Sequence, residues 1–228
     1  MFIELTNIKK TYKTKYNETN VLKGLNLKVE KGDLLAIIGS SGCGKSTLLN
    51  ILGAIDTFDE GSYKLYDKDI NLISEKEKAL IRNSKIGFIY QNFALIDELS
   101  VLDNVIVPLK VRKIKNSECK NIALNALSQV GLSGMEKKKV FELSGGQRQR
   151  VAIARTIAQD TNIILADEPT GSLDKNTGKE ILKLLLELNK QGKTIIIVTH
   201  DLELAACCTR KLKILDGNIV EFEKNILL

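Results

Sequence analysis

Gly39-Ser40-Ser41-Gly42-Cys43-Gly44-Lys45-Ser46-Thr47 is the stretch on which the reading of this chain turns. It fits the pattern G-x-x-x-x-G-K-[ST], and its flanks supply the context that the pattern needs. The apolar run Leu34-Leu35-Ala36-Ile37-Ile38 comes before it and the helix-like run Ser46-Thr47-Leu48-Leu49-Asn50-Ile51-Leu52 follows, so the spacing predicts a strand, a glycine turn and a helix start. Three glycines let successive backbone N–H groups turn inward onto phosphate oxygens, and the helix N-terminus adds partial positive charge. Lys45 is then placed to reach the outer phosphates of a nucleotide, and the Ser46 hydroxyl to ligate magnesium. A glycine turn that merely joins a buried strand to a helix is the alternative, and the match of both pattern and context disfavours it.

The 228 residues suffice for one sizeable domain, or one domain with a subdomain. No apolar run approaches the ~20 residues that cross a bilayer, and the N-terminus lacks the blocks of a signal peptide, which predicts a cytoplasmic protein. The charge of +6 is spread over 34 basic and 28 acidic residues. It suits a nucleotide or an anionic lipid surface without demanding nucleic acid, and Lys137-Lys138-Lys139 reads as a solvated face. Cys43, Cys119, Cys207 and Cys208 show neither metal-ligand nor disulfide-framework spacing.

Along the chain, residues 2 to about 36 read as β structure, with Leu25, Leu27 and Val29 alternating with polar neighbours. Tyr12, in Lys10-Thr11-Tyr12-Lys13, is by position a strand-edge tyrosine, although a ring flanked by cations also suits stacking on a purine. Gly61 to Tyr66 reads as a strand, and Ser74 to Ile81 as a helix with Ser74 and Glu77 in capping-box spacing. Ile86 to Tyr90 reads as a buried strand ending at Gln91, whose amide either faces a metal-bound phosphate or caps the chain. From there to about residue 158 the pattern is mostly helical, with Gly131 at a helix C-terminus. The apolar set Phe93, Leu95, Ile96, Leu99, Val101 and Leu102 offers a groove for a partner helix, with core packing expected to absorb more than half of it.

A second glycine motif, Leu143-Ser144-Gly145-Gly146-Gln147, opens a helix; it is either a second anion site or an ordinary N-cap. The run Ile163-Ile164-Leu165-Ala166 ends in Asp167-Glu168, where ligands bind in open α/β sheets. Successive strand residues point opposite ways, which predicts different work for the two carboxylates: magnesium for Asp167, an attacking water for Glu168. An acidic helix cap is the alternative. Ser172-Leu173-Asp174 precedes a helix whose Ile181, Leu184, Leu185 and Leu188 share a face. Thr194 to Thr199 reads as a buried strand ending at His200, the one histidine, and Lys211 to Phe222 as a hairpin turning at Asp216-Gly217-Asn218.

Taken in this order, the phosphate loop, Gln91, Leu143 to Gln147, Asp167-Glu168, Asp174 and His200 resemble the nucleotide-binding subunit of an ABC transporter along nearly the whole chain. The run Ile86 to Ile96 is similar to the branch of macrolide-exporter, lipoprotein-release and antimicrobial-peptide-export ATPases. The resemblance implies an α/β P-loop NTPase cassette with a mixed, mainly parallel core sheet, an N-terminal antiparallel β subdomain and an α-helical subdomain. On this resemblance residues 1–228 would form one domain, with about 92–158 as the helical subdomain and about 1–91 and 159–228 as the core and β subdomain. It implies ATP and Mg²⁺, bound through Tyr12 on the base, Gly39 to Thr47 on the phosphates, and Ser46, Asp167 and Gln91 at the metal. Glu168, His200 and Lys45 would be catalytic. Two copies would pack head to tail, so that Ser144, Gly145, Gly146 and Gln147 of one close over ATP held by the other, with Asp174 near the seam. Tyr16 lies close enough to stand in for Tyr12.

A separate membrane permease would be contacted near residues 91–109, placing the chain peripherally on the inner face of the membrane; nucleic acid is not expected as a partner. The expected activity is ATP hydrolysis driving export. A cell-division type of ABC ATPase, acting through a membrane partner without a cargo, is the alternative. A GTP-binding switch is disfavoured, because Asn189-Lys190-Gln191-Gly192 lacks the aspartate of N-K-x-D. Cys43 would sit beside amide dipoles and Lys45, conditions that activate a thiol.

Overall fold

The computed structural model describes residues 2–221, so Phe222, the last residue of the expected hairpin, lies outside them. The chain divides into two compact units, Met1–Ala79 with Thr194–Leu228, and Leu80–Lys193. The first unit opens with β1 (Ile3–Lys13), β2 (Glu18–Val29), β3 (Leu34–Ile38), α1 (Lys45–Leu52), β4 (Glu60–Leu65) and β5 (Lys68–Asp69). The division falls within α2 (Glu75–Lys85). The second unit follows with β6 (Ile86–Ile89), α3 (Val101–Val111), α4 (Asn116–Gln129), α5 (Gly145–Gln159), β7 (Ile163–Asp167) and α6 (Lys175–Lys190). The chain returns to the first unit with β8 (Thr194–Thr199), α7 (Leu202–Ala206), β9 (Arg210–Leu215) and β10 (Asn218–Glu221).

The first unit holds both sheet types expected of it. An antiparallel sheet runs in the order β2-β1-β4-β5. In β1 and β2 the period-2 pattern puts Ile3, Leu5 and Ile8 against Leu25, Leu27 and Val29, all buried. A register shift between Leu5 and Ile8, with Asn7 at a φ of 51°, takes up the extra residue that keeps Ile8 facing inward. In the second sheet β3 lies parallel to both β8 and β9, with β10 antiparallel beyond β9. All five residues of β3 and all six of β8 are buried, as the unbroken apolar runs predict for strands covered on both faces. Each such Ile or Leu contributes about 1.5–3 kcal/mol over leaving it in water. The β9–β10 hairpin turns on Asp216 and Gly217, at φ of 47° and 77°, the positive pair a two-residue turn of this hand requires.

The second unit pairs β6 parallel to β7 and packs α5 against β6, with α3 and α4 on α5. The Ser74–Glu77 capping box at the start of α2 forms as the spacing predicts: Glu77 N donates to Ser74 Oγ at 3.3 Å, and Ser74 N to Glu77 Oε2 at 2.9 Å. α4 ends before Gly131, whose φ is 72°, again as expected. On α6, Ile181, Leu185 and Leu188 are buried and Leu184 is half-buried. The segment between β6 and α3 departs from the helical expectation. Residues 91–100 are irregular, with Phe93 and Ala94 at positive φ of 64° and 45°. Without a helical face to turn inward, this stretch leaves Phe93, Leu95 and Leu99 half-buried and Ile96 44% exposed, while at the start of α3 Leu102 is half-buried and Val101 fully buried. Among the described residues no helix is long and apolar enough to cross a membrane.

Candidate functional site

In the first unit the phosphate loop leaves the C-terminal end of β3 and runs into α1. Gly44 caps that helix at a φ of 105°, and a Cβ there would press on Leu22, Val21 Cγ1 and the Val21 carbonyl at 3.0 to 3.2 Å. Glycine is therefore required both for the turn and for the packing. Lys45 is 9% exposed and folds back over its own loop, donating to Gly39 O at 2.8 Å and Ser40 O at 2.9 Å. An ammonium has three N–H donors, so one remains for an anion in the loop. Ser40, Ser41, Gly42 and Ser46 are exposed, and Cys43 and Thr47 half-buried. Ile38 of β3 is in register with Thr199 of β8, so Gly39 and His200 leave neighbouring parallel strands at the same end. His200 is exposed in the bend before α7, and the next residue, Asp201, caps that helix by accepting from Glu203 N and Leu204 N.

The sulfur of Cys43 packs against Gly39, 2.4 Å from where a Cβ on that glycine would stand. There is no spare room behind the thiol, so an alkyl group on it must project into the loop. Maleimide treatment is expected to abolish nucleotide binding, with ATP protecting. Cys119 and Cys208 are buried, and Cys207 is exposed on α7's C-cap; labelling should therefore be read in a Cys207→Ser background. Full ATP binding after quantitative labelling of Cys43 is the result that removes this idea.

Tyr12 is 41% exposed at the end of β1, while Tyr16 stands 83% exposed in the loop after it. The Tyr12 hydroxyl donates to Asp56 Oδ2 at 2.6 Å, and Lys10 Nζ, whose side chain is 8% exposed, donates to Asp56 Oδ1 at 2.9 Å. Burial pushes the Asp56 carboxyl up, but the bonds from Tyr12 and Lys10 outweigh it and hold the group below the usual carboxylate range.

In the second unit Ile89 of β6 pairs with Ala166 of β7, so the chain leading to Gln91 and the Asp167-Glu168 pair leave at one end. A Cβ on Gly171 would lie 3.1 Å from Gln91 Nε2 and 3.3 Å from Glu168 Cβ, which brings the amide and the carboxylate residue together over one glycine. Glu168 does not continue the strand. β7 ends at Asp167, and Glu168 takes a φ of 43°, so the strand alternation invoked to separate the two carboxylates does not govern it. A turn does: Gly171 N donates to Glu168 O at 3.0 Å, and the fully buried Gln149 donates its Nε2 to Pro169 O at 2.7 Å. Tyr90 lies beside these groups; burial raises its phenol pKa and the Asp167 charge adds to that.

The second glycine motif forms a complete capping box at the start of α5. Ser144 Oγ accepts from Gln147 N at 3.3 Å, and Gln147 Oε1 accepts from Ser144 N at 3.1 Å. The Ser144 hydroxyl is exposed and retains its O–H to donate. Gly146 has a packing role as well: a Cβ there would meet Thr177 Cγ2 of α6 at 2.4 Å. Asp174 caps α6, accepting from Asn176 N and Thr177 N, both at 3.1 Å. Its pKa falls through the bonds from Thr177.

Sequence reasoning missed Asp56, Gln149 and Gly171 as neighbours of these residues. Gln149 carried the one available signal, a polar residue on the buried face of a helix among Val151, Ala152 and Ile153.

The ABC transporter family profile matches residues 22–171. The macrolide export ATP-binding/permease protein MacB of Mannheimia succiniciproducens is 43% identical over 219 residues, 96% of this chain and 34% of that protein, so the chain spans about a third of its length. The lipoprotein-releasing system ATP-binding protein LolD of Alcanivorax borkumensis is 43% identical over 216 residues, covering 94% of this chain and 95% of that one. Among solved structures, the dimeric post-hydrolysis state of the ATP-binding cassette MJ0796 bound to ADP and Pi superimposes with a TM-score of 0.89 at 39% identity, over 97% of this chain and 99% of that one. The phosphate loop, the capped glycine motif and the carboxylate turn thus stand in a chain that belongs to the ABC transporter family.

Proposed function

We propose that this chain is the ATP-hydrolysing subunit of an ABC exporter, working as a head-to-tail pair on a separate membrane permease. The observation that carries the reading is the phosphate loop itself: an ammonium held over glycine-rich backbone at the N-terminus of α1 is a cradle for a polyphosphate. The hydroxyl of Ser46 and the carboxylate of Asp167 are hard oxygen donors of the kind Mg²⁺ takes, and Gln91 supplies an amide oxygen. When bound, the metal neutralises charge on the β- and γ-phosphates.

In this scheme Lys45 and the loop amides hold the triphosphate, and Tyr12 carries the base. Glu168 orients and polarises the attacking water. His200 and the Ser144 hydroxyl of a second copy donate to the oxygens on which charge develops, so catalysis rests on positioning and electrostatics. Asp174 lies near the seam between the copies, and closure of Ser144, Gly145 and Gly146 over the partner's ATP couples hydrolysis to dimer opening. The name of LolD, an ATP-binding protein of a lipoprotein-releasing system, and of MacB, an export protein, support the exporter reading. The half-buried apolar residues between Gln91 and α3 supply a surface for the permease, through which the chain would sit on the inner face of the membrane. Residues about 92–158 would act as the helical subdomain that moves with it. Phosphate release from ATP by the purified chain should be saturable and abolished by EDTA; release that is absent, or indifferent to the chelator, would overturn the reading.

A further inference from the structure

We propose that Asp56 and Lys10 are positioning residues for the nucleobase: Asp56 pins the Tyr12 phenol, and Lys10 covers one face of its ring, leaving the other as the only face for a purine. The inference rests on the reading of Tyr12 as the base-stacking residue and names what sets that ring in place. Lys10 and Tyr12 are two apart on β1, so their side chains share a face of the strand. Lys10 Nζ sits 4.9 Å from the Tyr12 ring centroid, within the range of a cation–π contact. The same ammonium is paired with Asp56, whose second oxygen accepts a hydrogen bond from the phenol. The carboxylate is therefore divided between the cation on the ring and the hydroxyl at its edge, which removes the ring's freedom to swing about χ1 and χ2.

The contact has a second consequence. Asp56 N donates to Asn50 O of α1 at 3.2 Å, so the carboxylate that holds the ring is itself tied to the helix that begins at Lys45 and Ser46. Asp56 follows the same helix and takes a bond from Thr57 N at 2.7 Å, which fixes its own rotamer. The base platform is thus registered to the helix that carries the phosphate ligands at its opposite end. A stacking ring held at a set distance from the phosphate loop loses little freedom when the nucleotide binds, and that is where the gain in affinity arises.

The test is equilibrium binding of Mg²⁺-ATP and of Mg²⁺-tripolyphosphate, which has no base, to the whole chain. Tyr12→Ala should weaken ATP about tenfold, in the range of base–aromatic stacking, and leave tripolyphosphate unchanged. Tyr12→Phe keeps the ring and loses the tie, and Asp56→Asn loses the charge; each should weaken ATP about threefold or more, without additivity in the double variant and again without effect on tripolyphosphate. Asp56→Asn strands a nearly buried Lys10 and can fail to fold; Tyr12→Phe leaves the Lys10–Asp56 pair intact and decides the matter alone. If Tyr12→Ala weakens ATP but Tyr12→Phe binds it as tightly as the unaltered chain, the positioning role is wrong and the stacking role stands. Equal loss for ATP and tripolyphosphate also overturns the positioning role, since it reports general damage. If Tyr12→Ala binds ATP normally, the stacking role itself fails, and loss on Tyr16→Ala would reassign it.

Discussion

Glu168→Gln is expected to bind ATP as the unaltered chain does, to release phosphate about 10²–10⁴ times more slowly, and to accumulate as an ATP-bound dimer. The substitution changes a carboxylate to an amide of the same shape, so it removes the charge that attracts a proton from water and keeps the side chain's size. The backbone of the turn supports this clean separation. Glu168 is held at its positive φ by bonds to its own carbonyl from Gly171 N and to the next carbonyl from Gln149, and neither involves the carboxylate. The neighbouring Gln91 amide packs on the same glycine and is untouched. Single-turnover phosphate release and light scattering with ATP measure the two halves of the expectation. Hydrolysis at the unaltered rate would move the catalytic role to another carboxylate.

What could be read in the sequence was what local pattern dictates. Unbroken apolar runs marked β3, β7 and β8, a glycine pattern between strand and helix marked the phosphate loop, and serine–glutamate spacing marked the cap of α2. The family resemblance stood on motifs of the same local kind. Features that depend on what the fold brings together were not legible. Nothing near Tyr12 points to Asp56, 44 residues on, because the contact exists only once β1 and the end of α1 are assembled. Gly146 read as a backbone donor, yet its lack of a side chain also makes room for Thr177 on another helix. Alternation continues the strand through Glu168, although the proline after it disfavours helix and leaves a turn as open as a strand; the buried Gln149 that bonds the Pro169 carbonyl within that turn lies 20 residues away in the sequence. The apolar residues after Gln91 were assigned mostly to the core by composition, which carries no information on whether the segment has a face to bury.

Lys45→Ala should act at the opposite end of the cycle, weakening Mg²⁺-ATP by about 100-fold or more. One charge-assisted bond to a buried or half-buried anion is worth about 1.5–3 kcal/mol, which at 1.4 kcal/mol per factor of ten already approaches that figure. The loop adds to it. The carbonyls of Gly39 and Ser40 both accept from the Lys45 ammonium, so its removal leaves two carbonyl dipoles of the loop without their cationic partner. Lys45→Arg separates the two contributions: it keeps the charge, but a planar guanidinium cannot occupy the place of a compact ammonium over two adjacent carbonyls. It should recover only part of the affinity. Thermal unfolding offers the direct measurement, because a ligand at 100 times its Kd adds about 2.7 kcal/mol to the folded state. The unaltered chain and Glu168→Gln should both show that ATP-dependent rise, and Lys45→Ala should lack it at the same concentration. A rise of normal size in Lys45→Ala would mean that the glycine backbone alone binds the triphosphate and that the lysine is a brace for the empty loop.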